Sequence, residues 1–210
     1  MILIASYHKT GTYLSKRLFN LYGKLDDSFS YNSTGHFNNV KKVEDRCVLF
    51  IRNPLELIVS SVRYNQTGKE KWMRKTIIKG KPYWEHLRDL NYDEKIFFEM
   101  EHSAGNIIKF MYDGFKQDKI NKCLIIRLEE FFSKDNEINI AHKICNFIKT
   151  DFKKMHEAIK IINATKVNAT TEKRCYTYKK FFKTKHYQKF KVIFPNDIME
   201  VLGYNRNSTL

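Results

Sequence analysis

The string Lys9-Thr10-Gly11-Thr12 lies between a short apolar run, Ile2–Ala5, and a segment in which Leu14, Leu18, Leu21 and Tyr22 recur at helical spacing. A helix starting near Gly11 leaves its first backbone N–H groups without intrahelical acceptors, and with the helix dipole these bind anions. Gly11 lets the backbone approach the bound group, Thr10 and Thr12 add hydroxyls, and Lys9 adds a charge directed at it. The lysine precedes the glycine, whereas a triphosphate-binding GxxxxGK[ST] loop has it after. The anion expected here is therefore of another kind.

A second segment, "CVLFIRNPLELIVSS" (47–61), repeats the strand–loop–helix plan. Arg52 ends the apolar run and Ser60 follows eight residues on, about two helical turns away, so the two are placed to grip one phosphate. Arginine offers a planar fork that matches phosphate oxygens, and serine a hydroxyl.

Together the two segments resemble the sulfotransferases that use 3′-phosphoadenosine-5′-phosphosulfate (PAPS). The first family motif reads roughly PKSGTTWL, and "HKTGTYL" matches it at Lys9, Gly11, Thr12 and Leu14, with Thr10 for Ser and Tyr13 for Trp. The second, roughly RNPKDVxVS, is matched by "RNPLELIVS", including the Arg52–Ser60 spacing. "CLIIRLEEFF" looks like the family's later strand LxYED, with Leu128-Glu129-Glu130 where the family has Tyr-Glu-Asp, and "FPNDIMEVLGYN" resembles its closing helix and LGY. The family's late RKGxxGxW motif has no counterpart as such, and Lys173-Arg174 or Lys179-Lys180 are the candidates for its contribution. The resemblance implies that Lys9, Thr10, Gly11, Thr12 and Tyr13 hold the 5′-phosphosulfate, with Tyr13 against adenine. Arg52 and Ser60 would hold the 3′-phosphate. PAPS would be the donor, 3′,5′-ADP (PAP) the product, and no metal would be needed.

By the same resemblance the reaction is in-line transfer of a sulfuryl group to an acceptor oxygen or nitrogen. Charge develops on the bridging oxygen as the P–O–S link breaks, and Lys9 is placed to stabilise it. A base must take the acceptor's proton, and histidine is the side chain tuned near neutral pH. His36, in "STGHF" (33–37), occupies the region where the family places a KTH string, with Thr34 in the lysine's position. His102, within "FFEMEHSAGN", is the alternative.

These residues need a frame. Ile2–Ala5, 47–51 (CVLFI) and 123–126 (CLII) read as short strands. Between and after them, helices are expected from near Gly11 through Tyr22, from Pro54 onward, over 93–116, around 141–148, over 152–162 and from Pro195 to near Gly203. Residues 65–92 read as a loop with short helical pieces. The alternation predicts an α/β, three-layer fold, a central, mostly parallel sheet flanked by helices with P-loop NTPase-like topology, in a single domain over 1–210. In such sheets ligands sit beyond the C-terminal strand ends, which puts Lys9–Thr12 and Arg52 on one edge.

The chain carries 38 Lys and Arg against 23 Asp and Glu, a net +15 that points to anionic ligands. Residues 69–81 hold six basic side chains, and 173–191 hold eight, interleaved with six aromatics. The latter pattern also fits nucleic-acid binding, and a P-loop kinase-like enzyme is a further alternative. Both rank below transfer to a small-molecule or glycan acceptor, with nucleic acid an unlikely partner. Cys47, Cys123, Cys145 and Cys175 lack metal-ligand spacing and read as reduced. With no apolar run of membrane-spanning length, a cytoplasmic enzyme is expected.

Overall fold

The three apolar runs form strands: β1 (Ile2–Ser6) and β3 (Arg46–Ile51), largely covered from water, and, after five intervening helices, a half-buried third strand at Cys123–Arg127. Ile4, Ala5 and Cys47–Ile51 are almost wholly buried, as expected for strands read as continuous apolar runs. The computed structural model describes residues 2–33, 36–37, 46–117, 120–165 and 177–204.

Elements follow in the order β1, α1 (Thr12–Leu25), β2 (Tyr31–Ser33), β3, α2 (Pro54–Asn65), α3 (Lys71–Lys75), β4 (Ile77–Ile78), β5 (Lys81–Pro82), α4 (Tyr83–Asp89), α5 (Tyr92–Glu101), α6 (Ser103–Lys116) and β6 (Cys123–Arg127). Then come α7 (Leu128–Phe131), α8 (Glu137–Ile148), α9 (Phe152–Ala164), α10 (Thr184–Ile193) and α11 (Ile198–Val201). The main sheet has four strands in the order β2-β1-β3-β6, all parallel, and is flanked by helices in an α/β, P-loop-like arrangement. β2 has no counterpart in the sequence reading.

The chain gathers into two compact units, Met1–Asn53 with Gly114–Cys175, and Pro54–Asp113 with Tyr176–Leu210. In the first, α1, α8 and α9 cover the sheet. Leu14, Leu18, Phe19 and Tyr22 of α1 share a core with Ile4, Val48, Phe50 and Ile126 of the strands and with Ile144, Ile148, Met155 and Ile159 of the two later helices. Each such side chain contributes roughly 1.5–3 kcal/mol on burial.

In the second unit, residues 65–92 are more ordered than a loop: α3 and α4 frame the β4–β5 hairpin, and Tyr83, Leu87 and Phe98 make a small core of their own. The run 93–116, expected as one helix, is two. It breaks at His102 (φ −121°, ψ −116°), whose Nδ1–H donates to the Phe98 carbonyl at 2.8 Å while its ring stacks on Phe98. The buried Glu99 carboxylate supplies the reason: it accepts from the Ala104 N–H at 3.2 Å and so caps α6. It also accepts from Asn65 Nδ2 and Tyr83 Oη, at 2.8 and 3.0 Å. Burial, with this carboxylate beside it, pushes the Tyr83 phenol up.

The expected basic surface at the C-terminal end is partly neutralised. Lys183 and Lys185 pair with Asp93 at 2.8 and 2.6 Å, and Lys189 pairs with Glu101 at 2.6 Å. Tyr178, Phe182 and Phe190 are buried, so these rings form core and not a surface on which bases could stack. Lys173, Arg174 and Cys175 lie outside the described residues. No helix among the described residues is long and apolar enough to cross a membrane.

Candidate functional site

Between β1 and α1 the chain must reverse within five residues, and local hydrogen bonds fold it. The Thr10 N–H donates to the Tyr7 carbonyl at 3.1 Å, and the Thr10 hydroxyl donates to the same carbonyl and to that of Phe50, both at 2.9 Å. Thr10 is fully buried, and both its donors face protein carbonyls. The expectation of a hydroxyl offered to the phosphosulfate therefore meets a different geometry: Thr10 ties the loop to the end of β3. The Thr12 and Ser6 hydroxyls share a hydrogen bond of 2.6 Å.

Two residues of the loop have left-handed backbones. Lys9 has φ 64°, and Gly11, the residue before α1, has φ 110°. A Cβ on Gly11 would lie 2.8 Å from Leu128 Cδ2, so glycine serves both the conformation and the packing. No side chain caps α1, and its first turn carries no acidic residue, which leaves the helix N-terminus suited to an exogenous anion. Lys9 and Thr12 are half-buried, while Tyr13 is 54% exposed at the first turn, a ring face open to a planar group.

The β3 end meets this loop through the sheet register. Ser6 is paired with Phe50 and Ile51 with Arg127, so the loops at 7–11 and 52–53 leave the same edge. Half-buried Arg52 follows directly. Its neighbour Asn53 donates its backbone N–H to Glu129 Oε1 at 2.9 Å, which fixes the turn. Glu129 stands where the resembled pattern also has Glu, but its part in holding the Arg52 loop shows in no sequence spacing. Ser60, taken within the second unit, is half-buried on α2.

His36 is placed in the first unit beside His8, with ring centroids 5.0 Å apart at 67°. The next pair along, Tyr7 and Phe37, repeats the contact at 5.4 Å and 62°. His8 was not singled out, since motif comparison fixes on the Lys-Thr-Gly that follows it. Thr34 lies outside the described residues. His102 serves as a helix-end donor to Phe98. Among the described residues no group of three or more His, Cys, Asp or Glu is placed to hold a metal ion.

The fold that carries this loop is a sulfotransferase-like one. Among solved structures, the mouse sulfotransferase SULT7A1 complexed with PAP matches at a TM-score of 0.58 and 15% identity, over 99% of this chain and 84% of its own. No family model and no curated protein matches the chain.

Proposed function

We propose that the chain, acting as one domain over 1–210, transfers the sulfuryl group of PAPS to a hydroxyl or amine of a small-molecule or glycan acceptor. The observation that supports this is the anion-suited α1 N-terminus, led by Lys9 and shaped by Gly11, at the sheet edge of a sulfotransferase-like fold. That a similarly folded protein was crystallised with PAP adds to it.

In this reading Lys9, Gly11 and Thr12 hold the 5′-phosphosulfate, with Thr10 acting through the loop's shape, and Tyr13 lies against adenine. Arg52 and Ser60 hold the 3′-phosphate. The acceptor oxygen or nitrogen attacks sulfur, a new S–O or S–N bond forms, and the S–O bond to the 5′-phosphate breaks. His36 receives the acceptor's proton. The electron pair of the broken bond stays on the phosphate oxygen, where Lys9 meets the developing charge. No metal takes part. A cytoplasmic location belongs to the same proposal.

Calorimetric titration tests it. PAP is expected to bind saturably at about one site per chain, and Arg52→Ala to weaken PAP far more than adenosine 5′-phosphate. A charge-assisted contact of roughly 1.5–3 kcal/mol acts on the 3′-phosphate alone. Equal losses for both nucleotides would remove the role given to Arg52. Salt-steep binding of single-stranded DNA without saturable PAP binding would replace the whole reading with nucleic-acid binding.

A further inference from the structure

We infer that His8 is a positioning residue for His36, holding the imidazole so that Nε2 is the atom that meets the acceptor. This rests on the proposed function, in which His36 takes the acceptor's proton. In the PKSGTTWL pattern the position before the lysine is proline; here it is a histidine, and a ring with a π face and two nitrogens does what a pyrrolidine does not.

The contacts are ordered. Residues 7 and 8 face 37 and 36 in turn, as two consecutive ring pairs, each edge-to-face. The outer pair is an anchor: Tyr7 and Phe37 are each 2% exposed, and the Tyr7 hydroxyl lies where a side chain on Gly114 would have to go. Glycine at 114 thus makes room for Tyr7, Tyr7 holds Phe37, and the backbone of both delivers His8 to His36. On the far side, the left-handed turn at Lys9 and the fully bonded Thr10 fix where the chain leaves His8.

The inner pair sets the chemistry. His36 Nδ1 and His8 Nε2 are both shielded from solvent. A shielded Nδ1 cannot reach an acceptor, so a proton taken by His36 goes to Nε2. For that, Nε2 must carry the lone pair and Nδ1 the hydrogen, and a ring free to turn would sample the opposite face. The His8 ring packed edge-to-face against it removes that freedom. The same residue joins the base to the lysine: His8 and Lys9 are neighbours, so the group proposed to take the acceptor's proton and the group proposed to stabilise the leaving oxygen are set by one short backbone segment.

The test pairs a spectroscopic readout with kinetics. In 15N-histidine spectra assigned through His36→Gln, His36 of the wild type is expected to show one tautomer, with a basic Nε2 and a protonated Nδ1. His8→Ala should shift or average those signals, and His8→Phe should restore the single tautomer, because it keeps the ring. With PAPS and 2-naphthol, His8→Ala should lower kcat about tenfold with the acceptor KM and PAP affinity little changed, and should cost nothing further in the His36→Gln background. Unchanged His36 signals in His8→Ala would overturn the inference, as would an equal kinetic loss in both backgrounds. The spectra are recorded without nucleotide, so they decide on the His8–His36 pair even if 2-naphthol is refused. Failure of the wild type to bind PAP would instead sink the sulfotransferase reading.

Discussion

Lys9 holds a left-handed backbone at φ 64°, a conformation that costs a non-glycine residue on the order of 1–2 kcal/mol and persists only where surrounding contacts impose it. The hydrogen bonds of the neighbouring Thr10 to the Tyr7 and Phe50 carbonyls hold the turn here. In the proposed reaction a fixed backbone at Lys9 limits the reorganisation needed to meet the developing charge. Lys9→Ala is accordingly expected to lower kcat by roughly 10²–10³ with a small change in the donor KM, since the interaction strengthens in the transition state. Steady-state kinetics with varied PAPS checks it. A rise in the donor KM alone would make Lys9 a uniform binder. At this scale the sequence told part of the story. The glycine that takes a left-handed backbone before α1 is readable in a string of four residues, Lys9-Thr10-Gly11-Thr12. The His8–His36 contact is not, because it joins residues 28 apart through a segment with no periodic pattern.

At the scale of elements, strands covered from water on both faces announced themselves. β1 and β3 are nearly unbroken apolar runs because neither face meets water, and the edge strand β6 keeps enough burial to read the same way. β2, three residues of Tyr-Asn-Ser at the sheet's other edge, is mostly exposed and carries no such mark. The break at His102 was hidden for another reason. Apolar spacing continues through it, and the cap that starts α6 comes from Glu99, inside the preceding helix. The loop between β1 and α1 is held by Thr10 against two carbonyls, so its hydroxyl and not its methyl matters. Thr10→Val should cost about 1–3 kcal/mol of stability and weaken PAP binding, while Thr10→Ser should keep most of both. Denaturant unfolding and calorimetry on the two variants check this. Full PAP affinity in Thr10→Val would separate the loop's shape from binding.

For the molecule as a whole, charge and pH are coupled through Asp93. Hydrogen bonds from Lys183 and Lys185 hold its carboxyl down at about 2. A carboxyl lowered in the folded state stabilises above its unfolded value near 4, and that contribution fades as pH falls toward about 2. The Asp93 contribution to the difference in Tm between wild type and Asp93→Asn should therefore close between about pH 4 and 2. A constant difference across that range would deny the linkage. His186, pushed down by burial and partly pushed back up by the Asp93 carboxylate 3.4 Å from its Nε2, adds a loss below about pH 6.5 that is larger in Asp93→Asn. Asp93 offsets only one of the two positive charges of Lys183 and Lys185, which leaves this pair net positive. The connectivity of the sheet bears on time as well as stability. β3 and β6 are neighbours, yet Cys47 and Cys123, partners in register, are separated by residues 54–113, which belong to the second unit. Closing a chain loop of that length costs on the order of 4 kcal/mol of entropy, less if the intervening segment has already condensed. The sheet should thus zip from β1 and β3 outward and admit β6 last. In stopped-flow refolding, Glu99→Ala, which loosens the intervening segment, should slow that final step even though no atom of Glu99 belongs to the sheet.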